Sequence, residues 1–168
     1  MVQRLPIART PPTVDDAELT DALLVASRAL VAVAARSLAQ VDLTVTLPQY
    51  RALVVLSTHG ALTVGALAEE LGIHASSASR LCGRLVDKRL VRRSTVRGDR
   101  RETALSLTPA GRRLVERVMV GRRREIAEIA SRIPAALRRP AVDALTAFCD
   151  AAGEAPLTPW SVGWEESE

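Results

Sequence analysis

Apolar positions recur along this chain with two different periods, and each change of period marks a boundary. From Asp15, the residues Leu19, Leu23, Ala26, Leu30 and Val33 fall in steps of four and three. That spacing predicts a helix to about Gln40, whose start is favoured electrostatically by Asp15 and Asp16. Thr46-Leu47-Pro48-Gln49 is a helix start of capping-box type, and Tyr50, Leu53, Val54 and Leu56 carry its apolar face toward a stop at His59-Gly60. Thr63 caps the next helix, Val64 to Leu71, and Gly72 turns the chain into another. There Ile73, Ala78, Leu81, Leu85 and Val86 form one face, and Ser76, Ser77, Ser79, Arg80, Gly83 and Arg84 form the other. Two short helices joined by so tight a turn are a helix-turn-helix by spacing alone.

After Leu90 the period shortens. Leu90 to Ser94 and Thr103 to Leu107 are strand candidates around Arg97-Gly98-Asp99-Arg100-Arg101, a β-hairpin with a basic tip. Thr108 then caps a long helix with Pro109 at its first position, where a missing N–H costs nothing. Val115, Met119, Ile126, Ile129 and Ile133 keep helical spacing, broken only by Arg122. Pro134 ends that helix and Pro140 is expected to begin another, with Val142, Leu145, Phe148, Cys149 and Ala152 as its apolar face. The first and last helices therefore carry surplus apolar stripe, which predicts a homodimer interface.

The expected fold class is mainly α with a small β-hairpin wing: a winged helix-turn-helix plus terminal dimerisation helices. Residues 1–14, with Pro6, Pro11 and Pro12, read as an irregular arm, and 15–152 as one domain. Within it the winged helix-turn-helix covers about 46–107 and the dimerisation helices about 15–40 and 108–152. Residues 153–168, which hold Trp160 and Trp164, read as a tail.

Charge sharpens this picture. Nine basic residues lie between Arg80 and Arg101 against Asp87 and Asp99, a balance of +7, whereas all 168 residues balance at +4. The rest of the chain is thus net acidic, and the excess sits where a phosphate-binding face is needed. The small hydroxyls of Ser76, Ser77 and Ser79 beside Arg80 and Arg84 let a helix sink into a major groove and bond phosphates and base edges. With 48% hydrophobic but only 2% aromatic residues, the core must be built of Ala, Leu and Val.

Helix-turn-helix, basic hairpin, and Asp99-x-Arg101 followed by Leu105-Ser106-Leu107-Thr108-Pro109-Ala110-Gly111 together resemble the MarR family of winged-helix transcriptional regulators. The likeness runs from about Asp15 to Ala152. It implies that Asp99 orients Arg101 and braces the wing, with Arg97, Arg100 and Arg101 reaching a minor groove or flanking phosphates. It further implies a homodimer on a pseudo-palindromic duplex, commonly a repressor released by a small-molecule effector held between dimerisation helices and DNA-binding lobe. One departure is visible: the turn before the wing usually carries Gly after Lys, and here Lys88 is followed by Arg89. A left-handed backbone at that position costs about 1 kcal/mol more with Arg than with Gly.

Other chemistry is thin. Cys82 and Cys149 form no framework, which fits a reducing cytoplasm. Cys82, on the recognition helix, reads as a packing residue or as a redox switch favoured by neighbouring arginines. Redox-sensing members of the family carry their cysteine near the N-terminus, where this chain has none. His59, His74, Cys82 and Cys149 have no metal-site spacing, so no metal or cofactor is expected. No phosphate loop, nucleophile elbow or HExxH points to an enzyme. No apolar run approaches the roughly 18 residues of a membrane span. The sequence therefore predicts a homodimeric regulator specific for double-stranded DNA, against a winged-helix interaction module as the alternative.

Overall fold

The predicted helix starts at Thr46, Thr63 and Thr108 have their local chemistry in place. The computed structural model describes residues 15–96 and 99–154, and the side chains of 95, 96 and 99–102 lie outside that description. So do the expected arm at 1–14 and the tryptophans of the tail. The elements in order are α1 (Asp16–Val41), α2 (Leu47–His59), β1 (Leu62–Thr63), α3 (Val64–Leu71), α4 (Ala75–Asp87), β2 (Val91–Val96), β3 (Asp99–Leu107), α5 (Pro109–Ser131) and α6 (Ala135–Ala151). Two compact units divide the chain at 32/33, inside α1.

In α2 the capping box is complete: Gln49 N–H donates to Thr46 Oγ1 at 3.4 Å, and Thr46 N–H to Gln49 Oε1 at 3.1 Å. Thr63 Oγ1 accepts from Ala66 N–H at 3.2 Å, and Thr108 Oγ1 from Gly111 N–H at 3.1 Å. Each such cap satisfies a donor the helix leaves open and is worth about 1 kcal/mol.

Three strands form one antiparallel sheet in the order β1-β3-β2. The expected hairpin is β2 and β3, in register from Val91 opposite Leu107 to Thr95 opposite Thr103. β1 was not expected. Its two residues are too short for periodicity, and they become a strand only because Leu62 and Thr63 lie beside Leu105 and Ala104. Sheet and helices share one aliphatic core within 33–168, with Leu53, Leu67, Leu85, Leu105 and Val118 fully buried. Tyr50 joins that core, and burial pushes its phenol up to about 12.

Two expectations fail. Pro140 does not begin the last helix but lies inside it. The start is earlier because Pro134 caps the first turn, where Leu137 N–H donates to its carbonyl at 2.9 Å. Arg138 also spans the α5–α6 turn, donating to Ile133 O at 3.1 Å and Ser131 O at 3.0 Å. The second failure is α1, which is long and apolar enough by length and composition to cross a membrane. Its leucines and valines raise the average, while Arg28 and Arg36 interrupt the apolar run.

Candidate nucleic-acid interface

The turn that sets α4 against α3 is made by Gly72, left-handed at φ 63°, whose N–H bonds the carbonyls of Ala68 and Glu69. Ile73 N–H adds a bond to Ala68 O at 3.0 Å. Such a turn needs φ above zero, which glycine adopts without strain. His74 is the N-cap of α4 and makes no side-chain cap bond; its carbonyl accepts from Ser77 N–H at 2.9 Å, and among the described residues the N–H groups of Ala75 and Ser76 have no partner.

From there the helix separates its two faces as the sequence predicts. Ala78, Leu81, Cys82 and Leu85 are buried, while Ser76, Ser79, Arg80 and Arg84 are exposed and Ser77 is half-buried. No ion pair occupies Arg80 or Arg84 among the described residues. Both guanidiniums lie one turn apart on the open face. Ile73, expected on the apolar face, is instead 38% exposed, because it precedes the helix.

Cys82 is only 1% exposed, and burial pushes its thiol up although the Arg93 charge acts in the opposite sense. A protonated, enclosed thiol suits packing better than redox sensing. Among the described residues no group of three His, Cys, Asp or Glu could hold a metal.

On the wing, Arg92 and Arg93 are exposed, and Arg92 Nε donates to Ser106 Oγ of the facing strand at 3.1 Å. A register shift between Thr95 and Val96 pairs Val96 with Asp99. Arg97 lies outside the described residues. Asp99, Arg100 and Arg101 lie on β3 by their backbone, but their side chains, and so the bracing of Arg101 by Asp99, fall outside that description.

The junction behind the wing explains its motif physically. Thr108 N–H donates to Leu90 O at 3.0 Å, and Thr108 Oγ1 donates to Arg89 O at 2.7 Å. A Cβ on Gly111 would stand 2.1 Å from the Leu90 carbonyl oxygen, far inside contact distance. Only glycine lets the first turn of α5 close against the turn between α4 and β2. Arg89 is left-handed at φ 56°, the one non-glycine residue with positive φ among those described, so the strain expected there is present. Sequence reasoning missed Lys88, whose ammonium turns away from the basic surface to Thr44.

A model of the MarR family matches residues 41–102, which run from the end of α1 into the wing. The crystal structure of RV1404 from Mycobacterium tuberculosis is similar with a TM-score of 0.78 and 44% identity, over 86% of this chain and 99% of that one. A MarR family protein from Bacillus stearothermophilus is similar with a TM-score of 0.73 and 25% identity, over 82% and 95%. The uncharacterized HTH-type transcriptional regulator YfiV of Bacillus subtilis is 33% identical over 72 residues, 43% of this chain. That match spans 45% of the length of YfiV.

Proposed function

This chain belongs to the MarR family of winged-helix transcriptional regulators, and on that premise we propose that it is a homodimeric repressor binding a pseudo-palindromic duplex sequence-specifically. The observation that carries the reading is α4: its apolar stripe is buried, and its Ser/Arg face is largely open, with Arg80 and Arg84 in no ion pair among the described residues. Arg80 and Arg84 enter the major groove, where arginine forks match guanine edges, while Ser76, Ser77 and Ser79 bond phosphates and bases. The open N–H groups at the start of α4 suit a phosphate. Arg97, Arg100 and Arg101 reach the minor groove or backbone, with Asp99 steadying Arg101.

Dimerisation draws support from apolar side chains that α1 and α6 leave exposed, among them Leu24, Val31, Leu145 and Phe148. A protein partner on α1 also accounts for the surface that makes it resemble a membrane span. Release by a small-molecule effector draws support from two buried hydroxyls, Ser37 Oγ on α1 and Tyr50 Oη on α2, which have no hydrogen-bond partner among the described residues. Buried polar groups are rarely left so. The protein acts as a regulator, not a catalyst, in the cytoplasm where its targets lie.

The test begins with duplexes selected from a random pool by the purified protein. On the recovered operator, Arg80→Ala or Arg84→Ala should cost roughly 1–3 kcal/mol by fluorescence anisotropy and relax preference at one position per half-site. Retention on DNA that does not weaken between about 50 and 200 mM salt would count against DNA and for a protein-interaction module.

A further inference from the structure

Resting on the DNA-binding reading above, we propose that Lys88 is a positioning residue that ties the recognition helix to the end of α1, rather than one of the phosphate contacts of the basic face. Its ammonium donates to the carbonyl oxygen of Thr44 and, at 3.0 Å, to Thr44 Oγ1. The same hydroxyl donates to Asp42 Oδ1 at 2.7 Å, and Thr44 N–H donates to that oxygen at 2.7 Å. Asp42 directly follows α1 and is bonded back into it through Asp42 N–H to Leu38 O at 2.9 Å. A continuous relay therefore runs from the last turn of α1 through Asp42 and Thr44 to Lys88, the C-cap of α4. The Thr44 bonds hold the Asp42 carboxyl below its usual range, with the Lys88 charge acting in the same sense against desolvation.

Two of the three donors of an ammonium are thus spent inside the protein, which leaves Lys88 poorly placed to follow a phosphate. Its neighbour completes the clamp. Arg89 O accepts from Thr108 at the start of α5, and Arg89 N–H donates to Val86 O at 2.8 Å. The last turn of α4 is held by the α1–α2 loop on one side and by α5 on the other. A left-handed arginine persists only where its surroundings over-determine it, and this double tether supplies that constraint. Arg84 lies one turn before Lys88, and its carbonyl accepts from Lys88 N–H at 3.2 Å. The tether therefore sets the direction in which the Ser/Arg face is presented relative to the last turn of α1, and in a dimer a change there alters the spacing of half-sites.

The test uses the full-length protein with Lys88→Met, Lys88→Arg, Asp42→Asn and Arg84→Ala, on the selected operator and on versions with half-site spacing changed by one base pair. Lys88→Met and Asp42→Asn should each weaken binding to the native spacing about tenfold and reduce its preference over the altered spacings. Lys88→Arg should restore both. The salt slope of Lys88→Met should stay at the wild-type value, whereas a lost phosphate contact lowers it by about one. A slope reduced by that amount with spacing preference intact overturns the proposal, and so does lowered thermal stability with both readouts unchanged. Hydrogen exchange on the free protein provides an arm without DNA. Lys88→Met should speed exchange at Thr44 and at Arg89-Leu90 together, and acceleration confined to Arg89-Leu90 overturns the tether. If the wild type selects no duplex, the DNA reading fails, and exchange alone decides whether the relay exists.

Discussion

Helices α4 and α6 carry similar apolar stripes and meet opposite fates. The 13 residues of α4 bury four side chains, Ala78, Leu81, Cys82 and Leu85, against the core. The 17 residues of α6 bury none, and Leu137, Val142, Leu145 and Phe148 stay 55%, 54%, 50% and 49% exposed. What holds α6 is polar and at its ends. Arg138 covers the carbonyls at the end of α5, and Glu154 forms a two-pronged bond with Arg51 of α2 at 2.9 and 2.7 Å. That bond keeps the Glu154 carboxyl below its usual range. The pair is about half exposed, so it directs the helix more than it stabilises the fold. An apolar stripe answered inside the chain builds a core, whereas one left unanswered is surface for another molecule.

The largest test of this contrast pairs two substitutions. Leu85→Ala should lose about 2–5 kcal/mol in denaturant unfolding, by the same amount at every protein concentration, because its contacts lie within one chain. Leu145→Asp with Phe148→Asp should leave the unfolding of the dilute chain nearly unchanged but raise the dimer dissociation constant by about a hundredfold or more in analytical ultracentrifugation. Concentration-independent loss in the second variant would erase the distinction between the helices. Gly111→Ala asks whether the junction that seats α4 is as tight as it looks. The collision is with the Leu90 backbone, so a loss of about 3 kcal/mol is expected by chemical denaturation, and a loss under about 1 kcal/mol would mean that the junction yields. The smallest effect has the opposite sign: Arg89→Gly should raise stability by about 1 kcal/mol by releasing the left-handed strain. A fall in stability would show that the Arg89 side chain does more there than its exposure suggests.

These differences divide what could be read along the chain from what could not. Helix starts were legible because a cap is a bond between residues three apart: Thr46 with Gln49, Thr63 with Ala66, Thr108 with Gly111. The two faces of α4 were legible because periodicity alone sorts Leu81 and Leu85 from Arg80 and Arg84. The departure at Arg89 was visible too, since it was a conformational requirement placed on one residue. Pro140 misled because its tolerance inside α6 depends on a helix start fixed earlier, at Pro134.

By itself, then, the sequence determined most of the helices and the face that carries the serines and arginines, which follow from interactions within a few residues. Tertiary structure decided the rest. β1 exists only beside β3, and Lys88 leaves the basic face only because Thr44, 44 positions away, comes within reach of its ammonium. Gly111 stood in a legible motif, but the reason for it is a carbonyl oxygen of Leu90, on the far side of the wing in sequence and in contact only once the chain has closed.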